Sequence, residues 1–105
     1  MTTVQQSFPV PPNALWSALP AGVTAIRGRT PSYDPQRGTV MCRTGMSLLS
    51  WGQIVHVTVS HAPGGSALTI VTTLKLGVFD WGEGKRLAHR FAAAVAHAAG
   101  TAALV

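Results

Sequence analysis

Residues 51–76 read WGQIVHVTVSHAPGGSALTIVTTLKL, and this stretch decides the fold. Val55, Val57 and Val59 alternate with His56, Thr58 and Ser60, the period-two signature of a strand with one buried face. Gln53 and His61 complete the row of the valines. Pro63-Gly64-Gly65 supplies the residue types of a hairpin connection. Beyond it, Leu68, Ile70, Thr72, Leu74 and Leu76 form a second one-sided row, with Thr69, Thr73 and Lys75 on the other side. Two such strands joined by a tight turn form an antiparallel pair, and the apolar side of that pair needs a cover.

Working outward, Thr39 to Met46 alternates in the same way, with Val40, Cys42, Thr44 and Met46 on one side. Before it, Val23 to Arg29 reads as a strand and Thr30 to Gly38 as a turn-rich connection. Near the start, Val4, Gln6, Phe8 and Val10 predict a first strand with one buried face. Pro11 and Pro12 then open a short helix, where a missing N–H costs nothing. Leu15, Trp16 and Leu19 are its apolar side, and Pro20 with Gly22 is expected to stop it.

The last element is a helix. Asp80 is placed to accept from its first-turn N–H groups and Glu83 to reach back, a capping-box arrangement. Leu87, Phe91, Ala94, Val95 and Ala98 fall on one face, Arg86 and Arg90 share another, and Gly100 is the stop. Trp81 is expected to pack back onto the sheet. The class is therefore α+β: residues 1–105 as a single domain, with one antiparallel sheet of about five strands. Its order is β-α-β-β-β-β-α, and the C-terminal helix lies across one face.

Composition narrows the classes of function. The 105 residues are 47% hydrophobic and 10% charged, against about 25% charged in an average globular chain, so disorder is excluded. Eight Lys and Arg against three Asp and Glu give +5, yet no basic run exists and the excess reflects a shortage of acids. The one cysteine excludes an internal disulfide, and a reducing, cytoplasmic setting is the expectation. The first ten residues lack the basic start of a secretory signal. Phe91 to Val105, the most apolar stretch, would cover about 22 Å as a helix, short of the roughly 30 Å of a membrane core. No membrane span is expected.

Chemistry-bearing constellations are scarce. Asp80 and Glu83 are absorbed by helix capping and Asp34 by a turn, which leaves no carboxylate pair for acid–base work. His56 and His61, five apart on a strand, point to opposite faces. His89 and His97 are separated by roughly 12 Å of helix, so no pair grips one ion. Cys42 sits in an apolar row and reads as a core residue rather than a nucleophile. No Gly-x-Ser-x-Gly motif surrounds Ser47, Ser50 or Ser60, and the glycines make no phosphate loop.

The element order resembles the TATA-binding-protein-like class, to which the helix-grip lipid-binding domains are related. The pair Ser50-Trp51-Gly52 and Phe79-Asp80-Trp81-Gly82 is similar to motifs in small uncharacterised bacterial proteins. In those, the first Trp-Gly opens a central strand and the second precedes the closing helix. The resemblance implies a fold more than an activity. The resulting expectation is a non-enzymatic domain holding a small apolar or amphipathic ligand between sheet and C-terminal helix. Met46, Trp51, Trp81 and Phe91 would touch that ligand, while Lys85, Arg86 and Arg90 would offer a surface to an anion or partner. The alternative is a structural or interaction protein. It would act as a homodimer, through an exposed edge strand or the C-terminal tail, or with another protein. No cofactor, metal or nucleic-acid partner is expected.

Overall fold

The computed structural model describes residues 1–45, 52–74 and 82–101. Its elements are β1 (Thr2–Phe8), α1 (Pro12–Ala25), β2 (Arg29–Asp34), β3 (Thr39–Arg43), β4 (Gln53–Ala62), β5 (Gly65–Leu74) and α2 (Glu83–Ala98). The strands form one antiparallel sheet in the order β1-β5-β4-β3-β2. This is the α+β architecture expected, and α2 packs on the sheet with α1 beside it.

Both helices cover the same face. Cross-strand register aligns Val40 with Val57 and Ile70, and Cys42 with Val55 and Thr72. These residues are buried beneath the helices, together with Phe8 and Leu68. The alternation along β4 and β5 thus becomes a division between a covered and an uncovered face. The uncovered face carries Thr3, Val71, His56, Met41 and Ser32 in one cross-strand row and Gln5, Thr69, Thr58 and Thr39 in the next. The hairpin glycine Gly65 faces the end of β1: a Cβ there would run into the Phe8 carbonyl and the Val10 backbone. Its neighbour Ser66, fully buried, donates to the Val10 carbonyl at 2.8 Å.

α1 departs from expectation. It passes through Pro20 and ends at Ala25, so Val23 is helical, and the second strand starts at Arg29, where the expected strand ends, and runs through Asp34 in what reads as a turn. An interior proline costs a helix about 3 kcal/mol. Burying Val23 and Ile26, each worth roughly 1.5–3 kcal/mol, outweighs that cost, and Pro20 itself faces outward. The helix closes with Arg27 in the left-handed region and the Gly28 N–H bonded to the Val23 carbonyl at 2.8 Å.

The two helices meet at Gly22 and Phe91. A Cβ on Gly22 would stand 2.7–2.8 Å from three atoms of the Phe91 ring, which is fully buried. The buried stripe of α2 is Ala88, Phe91, Ala92 and Val95, at i, i+3, i+4 and i+7. Leu87 and Ala94 only flank it, and Ala98 is exposed rather than buried. Gly82, with φ 80°, is the N-cap of α2; Asp80 and Trp81, expected to cap and to brace this helix, lie outside the described residues.

Gly22→Ala should destabilise the protein by about 1–2 kcal/mol, because overpacking the Phe91 ring exceeds the gain of about 1 kcal/mol in helix propensity. Thermal melts check this. Adding Phe91→Leu should recover part of the loss, a coupling readable from the double-mutant cycle. A Gly22→Ala protein more stable than the parent would refute the close crossing.

Candidate functional site

The first turns of α1 put Pro12, Asn13 and Trp16 on one flank of that helix, since residues three and four apart share a face. Opposite them runs the turn between β2 and β3. The Asp34 carboxylate holds that turn, accepting the Arg37 N–H at 3.3 Å and lying 3.7 Å from the Arg37 side chain. Both side chains are well exposed, so the ion pair adds little stability and acts as turn geometry. At the end of the turn the Gly38 carbonyl accepts the Val59 N–H at 2.8 Å, pinning the turn to β4. Gly38 has φ 67°, and a Cβ there would press on the Val59 carbonyl at 2.9 Å, so only glycine fits.

Between helix and turn lies a groove of about 290 Å³, lined by Pro12, Asn13, Trp16, Pro35, Gly38 and Val59. Trp16 is half-buried, and its ring meets Tyr33 edge-to-face at 6.0 Å between centroids. Tyr33 pairs with Val40 and so points to the helix-covered side. The aromatic pair braces the indole that walls the groove. Burial, with a smaller contribution from Cys42, holds the Tyr33 phenol above its ordinary range. The walls are chiefly apolar, with one side-chain amide, Asn13, able to hydrogen-bond to a bound molecule.

The expected site residues are distributed otherwise. Phe91 is completely buried under Gly22 and reaches no groove. Ala88, Ala92 and Val95 fill the space between α2 and the sheet alongside it. Met46, Trp51 and Trp81 lie outside the described residues. Lys85, Arg86 and Arg90 are exposed on α2, away from the groove. Sequence reasoning missed Trp16, Pro35 and Gly38 as a unit. The available signal was the spacing Pro12, Asn13, Trp16 on one helix face, followed by a Pro-to-Gly turn.

The four histidines are exposed and dispersed, and among the described residues no three of His, Cys, Asp and Glu converge. Cys42 and His56 occupy opposite faces of the sheet, since Cys42 pairs with Val55 and His56 with Met41. His61 shares the face of Cys42 but lies six residues beyond Val55, about 20 Å along β4. Cys42 is buried, and that burial raises its thiol from 9.0 to about 11. It stays protonated and unreactive at neutral pH. The chain matches no protein-family model and no curated protein. Among the described residues no helix is long and apolar enough to cross a membrane.

A raised thiol pKa has a pH signature. The folded state keeps the Cys42 proton while the unfolded chain loses it, so this group's contribution is complete below pH 9.0 and is lost as pH rises towards about 11. Unfolding titrations of the wild type and Cys42→Ala should diverge across that window, the wild type losing more stability. Parallel profiles would refute the assignment.

Proposed function

We propose that the protein is a non-enzymatic binding module that holds a small apolar or amphipathic ligand in the groove between α1 and the β2–β3 turn. One observation carries the reading: an apolar cleft walled by a braced indole, Trp16, with a side-chain amide at its margin. Its volume of about 290 Å³ falls just below the roughly 300–1,000 Å³ typical of ligand pockets, which favours a compact ligand over a long acyl chain. The element order, similar to helix-grip domains, supports a ligand-holding role. The packing of Ala88, Phe91, Ala92 and Val95 argues for this groove over the space between α2 and the sheet. A cytoplasmic setting fits the single buried Cys42, kept as a thiol.

The test uses 1-anilinonaphthalene-8-sulfonate as the probe, because its apolar rings and single charge match an amphipathic occupant. Saturable fluorescence enhancement is expected with the parent. Pro35→Glu, which sets a charge on an exposed wall, and Trp16→Leu should each weaken binding by about tenfold, a loss of roughly 1.4 kcal/mol. Circular dichroism and melting temperature establish that the variants fold. No saturable binding by the parent, or equal binding by both folded variants, would remove this reading.

A further inference from the structure

We propose that two copies of this chain pair antiparallel along β1, joining their sheets into one of ten strands and setting α2 of each copy beside α2 of the other. The inference begins with the two edges of the sheet, which are built in opposite ways. At the β2 edge, Arg29 is charged, Thr30 has φ 47°, Pro31 lacks an N–H, and the pairing with β3 shifts register between Arg29 and Ser32. Charge, proline and irregularity are the usual devices that stop an edge strand from recruiting another strand.

The β1 edge has none of them. Seven consecutive residues, Thr2–Phe8, pair with β5 without a shift, and the strand contains neither a charged residue nor a proline. From Thr3 to Ser7 the strand is paired on one side only among the described residues. In a chain with eight Lys and Arg, this edge is left uncharged while the other is guarded.

A second observation lies beside that edge. α2 and Gln6 of β1 border a shallow concavity of about 520 Å³, lined by Gln6, His89, Ala92, Ala93, Ala96 and His97, with Thr101 at its end. The alanines let another helix approach closely, and the concavity adjoins the strand that would be paired.

The occupant that fits both features is a second copy. A two-fold axis at Gln5, the midpoint of β1, sets Gln5 opposite Gln5, Thr3 opposite Ser7 and Val4 opposite Gln6. Each is a compatible cross-strand pair, and none brings like charges together. The same axis runs the two α2 helices antiparallel. Lys85 and Arg86, in the first turn of one, then lie towards the C-terminal carbonyls of the other, where cations are stabilised. Four of the eight cations, Arg27, Arg29, Arg37 and Arg43, sit around β2 and β3, up to four strand spacings or about 19 Å from the seam, while Lys85, Arg86 and Arg90 are carried on α2 beside it. The seam also leaves the Trp16 groove open, and the dimer stands or falls independently of ligand binding.

The size of the seam sets the affinity range. A seven-residue strand is about 24 Å long, and sheet plus helix are roughly 20 Å deep, so each copy contributes about 480 Å². The two copies together bury about 960 Å², the size of a weak, transient interface rather than of a permanent dimer.

Sedimentation equilibrium of the full chain over about 1–200 µM should show the mass rising from 10.9 kDa towards twice that value. Gln5→Lys places two lysines on the axis and should hold the protein monomeric throughout that range, with the parent's circular dichroism and melting temperature. Ala93→Glu, at an exposed position, should weaken association by about tenfold or more. Should Gln5→Lys fail to fold, amide exchange on the parent decides. Alternate β1 amides, those not bonded to β5, should gain protection as concentration rises. A parent that stays monomeric, a folded Gln5→Lys protein that dimerises like the parent, or β1 amides indifferent to concentration would each overturn the proposal.

Discussion

The close approach of Gly22 to the Phe91 ring governs the arrangement of everything else. A glycine on one helix lets an aromatic ring on the other reach its backbone, so α1 and α2 lie side by side on one face of the sheet. That placement buries Leu15, Leu19 and Val23 from one helix and Ala88, Ala92 and Val95 from the other. It also explains why α1 tolerates Pro20. Ending the helix there would withdraw Gly22, Val23 and Ile26 from the contact, a larger loss than one helical hydrogen bond.

The helix pair has a consequence for ligand binding. In a layered domain, room for a ligand between helix and sheet requires the helix to stand off from the strands. Here the stripe facing the sheet is largely alanine with one ring and one valine, all of them buried, and the concavity beside α2 opens outward at its β1 border. The apolar groove lies at the periphery, where the first turn of α1 faces the β2–β3 turn. That turn cannot collapse onto the helix because the Gly38 carbonyl ties it to Val59. The groove therefore comes from two rigid supports held apart, with Tyr33 keeping the Trp16 indole edge-on between them.

How much of this was legible follows from the range of each interaction. β3, β4 and β5 declare themselves through alternation, and residues such as Val55, Val57 and Ile70 took the predicted side because the period of a strand admits two faces only. The extent of α1 was not legible, since Pro20 and Gly22 are local stop signals and the force that overrides them is contact with Phe91, 69 positions later in the chain. The start of β2 was lost for the same reason. In α2 the buried stripe is centred on Ala88 and Ala92, small residues that a search for large apolar side chains passes over. The groove was illegible because Trp16, Pro35 and Val59 meet only after the sheet has formed, and nothing local marks them as neighbours. The sequence pointed towards Trp51 and Trp81 instead, on the strength of their Trp-Gly context.

The uncovered face explains how such a chain manages with so few charges. A sheet with helices on one side only must present the other to its surroundings, and Lys and Glu usually serve there. In this chain the role falls to hydroxyl, amide and imidazole groups: Thr3, Gln5, Ser60 and Thr73 are exposed, with His56 at the centre. Thr suits the position twice over, since its β-branching favours extended backbone and its hydroxyl stays hydrated. Val71 and Ile54 are only half-buried among these groups, each directly opposite a polar residue, His56 and Thr73. The same economy leaves β1 without a charge to guard its edge, whereas β2, lying nearest the arginines, is guarded by Arg29 and bent by Thr30. Among the strands, charge is thus concentrated at one end of the order, in Arg29, Asp34 and Arg43. The asymmetry between the two edges follows from the charges that β2 and β3 carry and β1 lacks.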